Sequence, residues 1–160
     1  MAMFTAALIL ILSTGMFLFY IHAICQRILR REFDQEYFRA IVNANRLEFP
    51  AVRRAAEEFD APVDYAHVRL TLRCDYLALT YLLKNAVNAN RRYTRQEWLL
   101  VVYFHAILFL LGLCHKLRLG ERSALLNLTA ILQYFANVIG QRVSALRFGN
   151  LSAADYLLNL

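Results

Sequence analysis

Four histidines and three cysteines are the residues of this chain best suited to holding a metal or a cofactor, and their spacing limits what they can do. His105 sits between Phe104 and Ala106 in the most apolar stretch. An imidazole there can ligate a tetrapyrrole or contact a quinone. The plainer alternative is a hydrogen bond to Thr129, Gln133 or Asn137 on a neighbouring helix. His67 and His115 meet only if their segments fold back on one another about a turn near residues 90–92. Cys114 would then join them in a His/His/Cys cluster at the open end of a hairpin. That cluster lacks the further fixed ligand a zinc site needs, so no metal is expected. His22 and Cys25 stand three apart on one helix face, which specifies little. The cofactor-binding candidates are therefore His105, His22, His67 and His115, with the cofactor itself unknown.

Motifs of catalysis are missing from the sequence: it holds no Gly-rich phosphate loop, no HExxH pair and no GxSxG elbow. Asp75, near Arg69 and Arg73, reads as part of a charged helix face with a local ion pair. The 9 tyrosines and 11 phenylalanines are not interleaved with basic residues on a single strand. They suit helix seams and membrane-interface belts better than stacking on nucleic acid. Enzymatic activity and nucleic-acid binding are both outside the expectation.

The elements that must position these residues are helical. Only 5 glycines and 2 prolines occur in 160 residues, too few for a turn-rich β-fold. Hydrophobic residues make up 59% of the chain and mean hydropathy is +0.38, above the roughly 45–50% apolar content of soluble domains. Three dispersed cysteines, with no CxxC pair, fit reduced thiols better than a disulfide framework.

Residues 4–25 carry no charged side chain. About 22 residues at 1.5 Å rise cover the roughly 30 Å hydrocarbon core of a bilayer. The basic cluster Arg27, Arg30 and Arg31 follows the apolar run instead of preceding it, the reverse of a signal peptide. By the positive-inside rule the cluster faces the cytoplasm among anionic headgroups, with the N-terminus across the membrane. Tyr20 and His22 fall near the inner interface.

Helical spacing continues through residues 26–45, where Phe33, Tyr37, Phe38, Ile41 and Val42 recur. Pro50 opens a further helix, Asp64 caps the next over 65–89, and Thr94-Arg-Gln-Glu97 forms a capping box for one running to about Lys116. Residues 98–114 lack formal charge but are basic at both ends. The expectation is a helix buried among others or lying at the membrane surface, with a second membrane-embedded helix as the alternative. A last helix spans 123–146 and a short amphipathic tail follows. The pentapeptide Val-Asn-Ala-Asn-Arg occurs at 42–46 and again at 87–91. A shared helix-end solution explains it, since Asn tolerates left-handed cap geometry.

The resulting expectation is an all-α protein. A single-pass N-terminal transmembrane anchor with a basic flank (1–31) runs into a compact helical bundle (32–160). The expected role is a non-catalytic accessory, scaffold or assembly subunit of a larger membrane complex, in a bacterial inner membrane or an equivalent organelle membrane. Its partners would be other membrane subunits and anionic lipid, with self-association open. The alternative is a subunit that binds haem, pigment or quinone for membrane electron transfer or photosynthesis.

Overall fold

The computed structural model describes residues 2–30, 38–58, 64–85, 93–117 and 121–158, with side chains placed over residues 4–30 and from 38 to 144 within those ranges. All the regular structure among them is helical: α1 (Ala2–Leu29), α2 (Phe38–Asn45), α3 (Phe49–Glu57), α4 (Tyr65–Asn85), α5 (Arg95–Leu117) and α6 (Arg122–Leu158). The chain divides into two units, Met1–Glu32 and Phe33–Leu160.

The first unit is α1. Over residues 4–20 every residue is exposed, Phe4, Leu8, Ile9, Leu10, Ile11, Met16, Phe17 and Phe19 among them. A helix with no buried face and no charge over such a length satisfies its own backbone but leaves its apolar surface to the surroundings. Arg27 and Arg30 are exposed near its end, and Arg31, Phe33 and Tyr37 lie outside the described residues.

In the second unit α6 is the common partner: α2, α3, α4 and α5 all pack on it, and α3 also meets α4. The reason is its composition. Residues 134–140 of α6 are buried without interruption, as expected for a helix surrounded on all sides. Phe135, Leu128, Ile131 and Leu132 are fully enclosed, as are Leu72 and Leu79 of α4 and Leu100, Phe104 and Leu111 of α5. Each such side chain contributes roughly 1.5–3 kcal/mol by leaving water.

Helix ends follow local chemistry. Asp64 Oδ1 accepts the Ala66 N–H at 3.0 Å, starting α4 as the sequence predicts. The capping box at α5 also forms, with Thr94 N–H donating to Glu97 Oε2 at 3.0 Å and Glu97 N–H to Thr94 Oγ1 at 3.3 Å. At the end of α2 the left-handed residue is Arg46 (φ 51°), not an Asn, and Leu47 N–H reaches back to Val42 O at 3.1 Å. Asn45 instead donates its side-chain amide to Ile41 O. The second copy of the pentapeptide and the turn at 90–92 lie outside the described residues.

Among the described residues, three helices are long and apolar enough to cross a membrane: α1, α5 and the Arg122–Ser144 part of α6. They differ in how far protein already covers them. The apolar window is uncovered in α1, 28% buried in α5 and 72% buried in α6. The amino-acid pattern marks the first two; the third is hidden by Asn127, Gln133, Asn137 and Gln141, which lower its apparent apolarity.

Candidate functional site

The hairpin of α4 and α5 carries three of the four candidate histidines. Tyr76 and Phe104 stack across it with ring centroids 4.2 Å apart, and Tyr65 stacks on His115 at 3.9 Å with an interplanar angle of 6°. Both pairs are equidistant in sequence from residue 90, which fixes the antiparallel register. The sequence places the centre one residue later, and that slip changes the partner of His115. It meets Tyr65, while His67, two positions on and on another side of α4, is exposed. The His/His/Cys cluster therefore does not assemble. No group of three His, Cys, Asp or Glu residues suited to a metal exists among the described residues.

His115 is held from two sides. Its Nδ1–H donates to Glu121 Oε1 at 2.7 Å, and its ring face lies on Tyr65. Gly112, one turn back, makes this possible, because a Cβ there would stand 3.1 Å from the Tyr65 hydroxyl oxygen. Beside the stack an open groove of about 270 Å³ is lined by Tyr65, Arg69, Phe109, Gly112, Leu113, His115 and Lys116. Apolar and basic side chains thus meet at one end of the hairpin.

His105 is exposed on α5 and lies edge-on to Tyr76, with centroids 5.1 Å apart. Its Nδ1 is 2.8 Å from Val101 O. A carbonyl only accepts, so Nδ1 carries a proton and donates it to Val101 O. The polar residues expected to satisfy it have other roles. Thr129 donates to Leu126 O, Asn137 Oδ1 accepts the Phe38 N–H at 2.9 Å, and Gln133 accepts from Arg53. His22 is exposed on α1, where Cys25 is buried; Cys74 is exposed and Cys114 partly buried.

Two buried acids have roles the sequence pattern hides. Asp75 is not part of an exposed charged face. From α4, its Oδ2 accepts the Glu48 and Phe49 N–H groups at 2.9 and 2.6 Å and so caps α3 from outside that helix. Burial raises its pKa, while those two hydrogen bonds oppose the shift and nearby Glu48 adds to it. Tyr76, the next residue, is pushed up to about 12 by burial, with Tyr93 adding to the effect. Glu97, only 3% exposed, completes the capping box and also pairs with Arg142 of α6. A second groove, about 470 Å³, contains Arg39, Arg53, Arg54 and Glu57, with Arg53 bound to Glu57 and Gln133.

Sequence reasoning names His115 and misses its neighbours. Tyr65, Arg69 and Lys116 carry no motif, and only the hairpin register brings them together; a helical-wheel pairing centred on residue 90 would have found them. In comparisons with known proteins, no family model, no curated protein and no solved structure matches this chain.

Proposed function

We propose that the chain is a membrane-anchored accessory or assembly subunit of a larger membrane complex, without catalysis of its own. The observation that carries this reading is the apolar surface of α1, where Phe4, Leu10, Ile11, Phe17 and Phe19 are each more than 60% exposed. Soluble monomers rarely display a contiguous apolar patch beyond a few hundred Å², so lipid or other membrane helices must cover this one. Exposed Arg27 and Arg30, with Arg31 beyond them, favour a single pass with the helical bundle of α2–α6 on the cytoplasmic side.

A second, weaker apolar face supports the accessory role. Trp98, Val102, Phe109 and Leu113 lie outward on α5 at helical spacing while Leu100, Phe104, Ile107 and Leu111 face the core. On this reading α5 lies at the membrane surface or against a neighbouring subunit instead of crossing.

The test is alkaline carbonate extraction of native membranes, followed by mild-detergent purification of the full-length chain. The expected outcome is retention in the membrane fraction and co-purification of a membrane chain in fixed stoichiometry. A carbonate-soluble, monomeric protein overturns the reading.

One observation favours a cofactor-binding subunit as the second reading. His105 donates Nδ1–H to its own backbone, the arrangement that orients an imidazole to ligate through Nε2. A visible absorption band lost in His105→Ala is the outcome that would establish it; a colourless complex with quinone-free extracts removes it.

A further inference from the structure

The groove at the open end of the α4–α5 hairpin joins two chemistries that seldom share a small site in a soluble protein. One wall is basic, with Arg69 from α4 and Lys116 from α5. The other is apolar, with Phe109 and Leu113 continuing into the exposed face of α5 that begins at Trp98. Arg69 and Lys116 are exposed, and among the described residues neither enters an ion pair or hydrogen bond. Glu121, the acid beside His115, is engaged by it at 2.7 Å.

From this arrangement we infer that the groove is a binding site for the headgroup of one anionic phospholipid. A phosphodiester oxygen meets the fork of the Arg69 guanidinium and the Lys116 ammonium, and the first methylenes of an acyl chain lie along Phe109 and Leu113. The volume of about 270 Å³ admits a headgroup and the start of a chain, not a whole lipid. The remaining tail therefore runs outward over the apolar face. Tyr65, locked flat on His115 and seated against Gly112, forms a rigid edge that needs no reordering when the lipid arrives. A zwitterionic lipid brings its own ammonium toward Arg69 and Lys116 and is disfavoured; an anionic headgroup is not.

The inference rests on the membrane reading above and names a lipid site apart from the arginines that follow α1. Its test is native mass spectrometry of the full-length protein released from vesicles of equal phosphatidylglycerol and phosphatidylcholine. The expected result is one phosphatidylglycerol retained at least fivefold over phosphatidylcholine. The ratio should fall to near one in Arg69→Gln/Lys116→Gln and stay unchanged in the control Arg73→Gln/Lys84→Gln. Equal retention of the two lipids by the wild type overturns the site and leaves the membrane reading standing; a chain that never enters the vesicles overturns both. Displacement of the retained lipid by millimolar glycerol phosphate also overturns it, by showing a site for free phosphate. A wild-type measurement guards against misfolded variants. Phosphatidylglycerol with a photoreactive acyl chain should label the peptide containing Phe109 and Leu113, and labelling confined to α1 refutes the assignment.

Discussion

Helices α1 and α6 both contain a stretch long and apolar enough to cross a bilayer, yet one has its apolar window wholly uncovered and the other has 72% of it buried by the protein. The difference lies in the polar residues and what they meet. Residues 4–25 of α1 present no charge and no side-chain amide. In α6, Asn137 takes the first N–H of α2, Gln133 binds Arg53 of α3, and Arg142 pairs with Glu97 of α5. Hydropathy counts atoms and is blind to such register. A polar residue at each point where another helix arrives turns an apolar rod into the centre of a packed unit, while the same rod without them keeps its apolar window uncovered.

Charge insertion gives the largest expected contrast. Leu10→Arg/Ile11→Arg in α1 should cost about 5–7 kcal/mol of insertion free energy and release the chain to the carbonate-soluble fraction, with α2–α6 still protease-resistant. Leu128→Arg in α6 should act in the opposite sense, leaving the chain in the membrane but abolishing protease resistance, because an unpaired charge is buried. Reversed outcomes would break the distinction between the two helices.

Next in size is the link between α5 and α6. Glu97→Ala removes a capping-box acceptor and strands Arg142, and should destabilise the second unit by about 3–5 kcal/mol in detergent thermal unfolding. The exposed Arg53–Glu57 pair sharpens the point, since Glu57→Ala should change stability by less than about 0.5 kcal/mol. A similar loss in both variants would mean that α6 draws no special stability from its polar partners.

The smallest effect concerns how α3 is held against α4. Asp75→Ala leaves two backbone N–H groups without their acceptor and should cost about 1–3 kcal/mol. Asp75→Asn keeps an acceptor and reveals the charge alone. Because the folded-state pKa of Asp75 is raised, its stabilising contribution is complete in acid, below the ordinary value of 3.8, and shrinks as pH rises through the raised value. The stability advantage of the native chain over Asp75→Asn should therefore narrow from about pH 3 to pH 7 when unfolding is measured as a function of pH; a widening gap would show that the two hydrogen bonds outweigh burial.

How much of this was legible in the sequence varied with the range of the interaction. Features set within one turn of helix could be read directly: the uncharged run of α1, the caps at Asp64 and Thr94, and the proline opening α3. Features set by register between helices could not. Asp75 looks like any charged helix residue until α3 is placed over it, and a one-residue difference in the centre of the hairpin exchanges His67 for Tyr65 beside His115. The groove is the product of that register, so its basic and apolar halves stayed separate in the linear pattern.

The position of α6 in the chain has a consequence for how the protein is made. Helices α2 to α5 leave the ribosome before the helix on which they all pack. Until it emerges, the inward faces of α4 and α5, with Leu72, Leu79, Phe104 and Leu111, lack their main cover. A nascent chain that has not yet reached residue 122 therefore exposes apolar helix faces that close only when translation supplies α6.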